Sequence, residues 1–146
     1  MQHRNRWITV VLIIAGLLLS ACARASAPPT KVKPAQVEDV EGSDFKRVVL
    51  TEKAAERLDI QTALVRDEQV NGTQRLVVPY AAVIYGLQGE TWVYTNGEPL
   101  VFVRHLINVD YIEGDLAVLL EGPPVGTEVV TVGGALLYGA ETGVSK

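Results

Sequence analysis

Apolar and polar positions divide the chain into three stretches. Residues 7–19 are apolar almost throughout, residues 22–43 are polar and rich in Pro and Ala, and from Phe45 onward short apolar runs recur between turn residues. "FKRVVL" reads as a short strand. Thr51 follows as an N-cap for "TEKAAERL", with Glu52 in the first turn and Ala55 and Leu58 on a narrow apolar face. "IQTALV" is a second strand. Asn71-Gly72, inside the polar "RDEQVNGTQ", is a strong hairpin signal ahead of "RLVVP", where Pro79 marks a strand end or edge. The remainder is nearly all strand and turn: "AAVIYGL", a turn at Gln88-Gly89-Glu90, "TWVYT", a second hairpin signal at Asn96-Gly97, "LVFVRHLINV", "DLAVLLE", a Pro/Gly turn in "GPPVGTE", "EVVTVG", and "ALLYGAE", which ends the fold. Short strands at such spacing predict a mainly β fold, a small antiparallel β-roll or barrel with one short helix.

The first stretch changes what precedes that fold. Arg4 and Arg6 stand before the apolar run, and small residues follow it. A basic start, a short apolar segment and small residues at its end describe a secretory signal peptide. The run is shorter than the roughly 20 residues that span a bilayer. A shortened membrane anchor is the alternative. Leu19-Ser20-Ala21-Cys22 resembles the bacterial lipobox, which implies cleavage before Cys22 and a lipid on its thiol. Such a lipid would be a stable membrane anchor, and the competing reading is a secreted chain with a free cysteine. The expected organisation is a signal peptide over 1–21, a lipidated, disordered linker over 22–43, the β-roll over 44–141 and a flexible tail over 142–146.

Charge narrows the classes further. The formal net charge is −4. Loss of Arg4 and Arg6 with the signal peptide leaves eleven Lys and Arg against seventeen Asp and Glu, a net charge of −6. That balance excludes nucleic-acid binding and a polybasic grip on anionic lipid.

The candidate chemistry is sparse. Cys22 is the single cysteine, so no internal disulfide or CxxC site exists. His105 stands in a strand beside Arg104. Asp110, Glu113 and Asp115 cluster in "VDYIEGD" without the ligand spacing of a calcium loop. Met1 is the single methionine. Trp92 and Tyr94 sit two apart on one strand face, either in the core or as an exposed aromatic binding pair. No phosphate loop, nucleophile triad or paired-acid pattern is present. The expectation is a protein without catalytic residues, metal or cofactor beyond the covalent lipid.

Three segments, "VVPYAAVIYGLQGETWVYT", "VFVRHLINVD" and "LEGPPVGTEVVTVGGALL", resemble the C-terminal part of the membrane fusion proteins, the periplasmic adaptor subunits of tripartite efflux pumps. The matching features are Val78-Pro79, Val83-Ile84, Gly89, Trp92 to Tyr94, Phe102 to His105, Pro124 to Gly126, Val129-Val130 and Gly134 to Leu136. "RVVLTEKAAERLDIQTALV" resembles a segment near the start of many adaptors, with Asp59 where they carry glycine. In that family the two segments pack as the membrane-proximal domain, and a lipoyl domain and helical hairpin lie between them. Here only "RDEQVNGTQ" intervenes. The resemblance implies an exported, membrane-anchored envelope module associated with efflux, with a transporter permease or other adaptor subunits as partners. The alternative is a small envelope lipoprotein that binds an apolar or peptide ligand.

Overall fold

The computed structural model describes residues 33–43 and 45–143. The expected signal peptide, the lipobox residues Leu19, Ser20 and Ala21, the lipid-bearing Cys22 and the first part of the linker lie outside the described residues. Among the described residues ten strands form: β1 (Ala35–Asp39), β2 (Lys46–Leu50), β3 (Gln61–Leu64), β4 (Arg66–Val70), β5 (Thr73–Pro79), β6 (Ile84–Tyr85), β7 (Thr91–Glu98), β8 (Val101–Glu113), β9 (Leu116–Glu121) and β10 (Glu128–Val132). Helix α1 is Glu52–Arg57, a 3-10 turn covers Tyr80–Ala82, and helix α2 is Gly134–Thr142. The mainly β expectation holds.

Local chemistry explains most of the element ends. Thr51 caps α1 as its spacing predicts, its Oγ1 accepting the Ala54 N–H at 3.2 Å. Glu52 lies in the first turn and Arg57 in the last, each favourable to the helix dipole. Just beyond the helix, Asp59 sits at φ +48°, in the left-handed region. Asp tolerates that region better than most residues, which accounts for its standing where the family-like segment has glycine. Asn71 and Gly72 take φ +51° and +82° and join β4 to β5 across the Val70–Thr73 pair, a two-residue hairpin turn with both centres left-handed.

The strands are ordered β3-β10-β7-β8-β9-β5-β4, all antiparallel. Strands β3 and β4 are separated by Val65 alone, so one bent segment supplies both ends of the order and curls the sheet toward a barrel. Val65 is fully buried and joins Val78, Val93, Ile107, Leu119 and Val129 in an aliphatic interior. Strand β8 joins the two halves of this sheet. Its first half pairs with β7 and with β2, its second half with β9, and register shifts from Asn108 to Tyr111 mark the crossing. Strand β1 extends the sheet through β2, with Val37 opposite Val48.

The outer face of the β7–β10 region carries a second core. Adjacent residues point to opposite faces of a strand, so Val93 and Val129 enter the barrel while Tyr94 and Val130 face outward. Leu50, Ala54, Phe102 and Leu137 complete this outer layer under the two helices.

Three expectations need correction. β1 lies inside the stretch expected to be linker, because "AQVED" finds a backbone partner in β2 that its own weak apolar pattern does not announce. "ALLYGAE", where the β-roll was expected to end, forms α2, a second helix where one was expected. Gly133, at φ +90°, turns the chain where any Cβ would strike Ile60, and Gly143, at φ +74°, caps the end. The fold therefore runs past the residue 141 boundary and through part of the expected tail. Finally, Asn96-Gly97 is a strand irregularity between Thr95 and Glu98. The turn itself falls on Pro99-Leu100, closed by the Glu98–Val101 pair, with Leu100 at φ +65°.

Candidate functional site

The densest polar constellation lies in the outer layer, around Arg104 of β8. Arg104 stands opposite Tyr94 of β7. Its guanidinium carbon sits 4.8 Å from the Trp92 ring centre, 5.2 Å from that of Tyr138 and 5.3 Å from that of Phe45. Phe45 meets Trp92 edge-on at 5.2 Å. Three aromatic rings thus surround one cation, from the segment before β2, from β7 and from α2.

Glu141 completes the cluster from α2, three residues after Tyr138 and hence on the same helix face. Its side chain is 3% exposed and that of Arg104 is 14%. Oε1 accepts from Arg104 Nη2 at 2.9 Å and from the Lys46 backbone N–H at 3.4 Å. Oε2 accepts from the Tyr94 hydroxyl at 2.5 Å. Arg104 Nε lies 2.8 Å from Oε2 but without hydrogen-bond alignment. The buried carboxylate thus has three donors, the condition under which a buried charge is tolerated. Burial raises the Tyr94 pKa well above the ordinary 10, and the hydrogen bond and charge of Glu141 raise it further. The phenol stays protonated at neutral pH and serves as a donor. The Trp92 indole N–H is buried without an acceptor.

This arrangement is an intramolecular clamp. Its carboxylate accepts from three donors, its cation is enclosed by rings, and its phenol holds its proton. Chemically it fastens α2 and the start of β2 onto the sheet.

The sequence-derived candidates are placed as follows. Tyr94 is fully buried, so Trp92 and Tyr94 form no exposed aromatic pair; α2 covers that face, and both residues belong to the clamp. His105 is exposed on β8. Asp110 pairs with Arg75 at 2.5 Å, and Glu113 and Asp115 are exposed around the β8–β9 turn. Among the described residues no three His, Cys, Asp or Glu side chains converge as a metal site. No helix among them is long and apolar enough to cross a membrane. An open cleft of about 350 Å³ beside the start of β7 is lined by Glu90, Thr91, Leu106, Ile107, Asn108 and Glu121, among others. Sequence reasoning missed Arg104 and Glu141 as partners. The one available signal was a single carboxylate closing an otherwise apolar C-terminal segment.

No family model matches the chain, and no curated protein matches it. A solved structure that it resembles is the NMR structure of a 180-residue piece of SilB from Cupriavidus metallidurans CH34, which holds the N-terminal metal-binding site and the membrane proximal domain of that protein. The identity is 24% and the TM-score 0.46; the match covers 64% of this chain and 53% of the other, so this chain spans about half of that piece.

Proposed function

We propose that the chain is a lipid-anchored module of the cell envelope that docks on an efflux transporter, or on copies of an adaptor, as a structural subunit. One observation carries this reading. The two adaptor-like segments build a single curled sheet: the first supplies β2, α1 and β3, the second runs from the end of β5 to α2, and the two meet through Val65 and the β4–β5 hairpin. That is the pairing of first and last segments the family resemblance implies, with a two-residue turn where the family has its long insertion. A spanning hairpin has no counterpart between β4 and β5, so the module's role is local docking at one membrane. The alternative, capture of an apolar ligand, loses support because aliphatic side chains fill the barrel interior.

Cross-linking in intact cells of the native host tests the reading. The expected outcome is recovery of a transporter or adaptor component with the chain. Its absence after efficient cross-linking of other envelope complexes overturns the proposal.

A further inference from the structure

Beside β6 lies an exposed apolar patch that the clamp and the barrel leave unused. Leu87, at the tip of the Gly86–Gly89 turn, is 100% exposed, while Tyr80 and Tyr85 are 44% and 56% exposed. The two tyrosines are close enough that the Tyr80 hydroxyl, through hydrogen bonding, raises the Tyr85 pKa. The Tyr85 phenol therefore keeps its proton at physiological pH. The one carboxylate of the turn, Glu90, is folded back and accepts the Gln88 backbone N–H at 3.0 Å. The tip thus presents Leu87 and two tyrosines, with the Glu90 carboxylate held against the turn.

We propose that Tyr80, Tyr85 and Leu87 form a second membrane contact that seats this face of the domain in the lipid interface. The inference rests on the reading of Cys22 as lipid anchor. Tyrosine beside an apolar tip suits the headgroup boundary, where a ring is buried and its hydroxyl stays wet. The tether argues for the same occupant. Twelve residues lie between Cys22 and Ala35; the chain from one to the other reaches at most about 45 Å. A domain of this size has a radius of gyration of about 13 Å. The anchor thus keeps a bilayer within reach of any face, and surface chemistry selects the one that touches it. Charge sets the lipid preference. Asp115, whose carbonyl accepts the Tyr80 N–H at 2.8 Å, borders the patch with negative charge. The contact therefore favours zwitterionic over anionic lipid.

The test uses the full, processed chain in phosphatidylcholine vesicles, with Leu87→Cys labelled by an environment-sensitive fluorophore and Gln69→Cys, on the exposed β4 edge, as control. A lipidated Cys22 has no free thiol, so each variant carries one label. Flotation reads the anchor; emission and quenching by lipid-borne quenchers read the patch. Expected are a blue-shifted, quenchable signal at position 87, an aqueous signal at position 69, loss of the position-87 shift in the Tyr80→Ser/Tyr85→Ser background, and weakening as phosphatidylglycerol is added. A chain that floats with an aqueous signal at position 87 overturns the patch and leaves the anchor standing. A chain that does not float and whose Cys22 takes label overturns the anchor, and the proposal with it.

Discussion

The two faces of strand β7 pack by different rules. Inward, Val93 meets Val65, Val78, Ile107 and Val129, an interior of aliphatic side chains alone. Outward, Tyr94 meets Glu141 and lies beside an arginine ringed by aromatics. The aliphatic side gains its stability from burial, which is non-directional and tolerant of exchange. The outer side requires fixed partners, and the difference has a topological reason. The central barrel strands, from β10 to β5, are held in register by backbone pairing on both edges. Helix α2 has no such ladder, and its nine residues are too few to be stable alone. Directed polar contacts supply the missing register.

That contrast breaks most visibly at Glu141. Glu141→Ala leaves the Arg104 guanidinium enclosed without its counter-charge, at an expected cost of roughly 3–5 kcal/mol in urea unfolding. If register rather than charge is what the clamp provides, then Arg104→Met, Glu141→Leu and Tyr94→Phe together, which replace the whole network with apolar volume, should lie far closer to the parent than Glu141→Ala alone. A combined variant as unstable as the sum of its parts would refute the register argument. On the inward face Leu119→Ala opens a cavity and should cost about 2–5 kcal/mol; Leu119→Met should recover most of it, because volume is what that face requires. A failure of Met to rescue would erase the distinction between the faces.

The smallest effect is at Tyr94. Tyr94→Phe removes one donor to a carboxylate that keeps its others, and should cost about 1.5 kcal/mol at neutral pH. It also carries a pH signature. The folded state raises the Tyr94 pKa above the unfolded value near 10, so its proton is held more tightly when folded. Its contribution is intact below that value and is lost as pH rises beyond it, at up to about 1.4 kcal/mol per pH unit. Tyr85 is raised as well, so the difference between parent and Tyr94→Phe in alkaline unfolding isolates Tyr94. Parallel alkaline profiles for the two would show that the phenol titrates as if exposed.

Much of the barrel was legible because its signals are local. Thr51 is a cap three residues from the amide it holds, and Asn71-Gly72 is a turn wherever two strands flank it. The misreadings share the opposite property. Asn96-Gly97 resembles a turn, but the chain turns at Pro99-Leu100, with Leu100 at a positive φ that bulky residues seldom adopt. Helix α2 is apolar on most of its surface and interrupted by Gly139, so no 3.6-residue period stands out from a strand-like run. Strand β1 has a weak pattern and owes its existence to β2. Glu141 finds Tyr94 and Arg104 across 47 and 37 residues, a distance over which no local pattern operates.

Strand β8 has a consequence for how the domain comes apart. Thirteen continuous residues carry ladders on both sides of the Asn108–Tyr111 crossing, so neither half of the sheet can lose its pairing without disturbing a strand the other depends on. The domain therefore melts once. Amide hydrogens of paired β8 residues on the two sides of the crossing should report one common opening free energy in native-state hydrogen exchange, as members of a single cooperative unit.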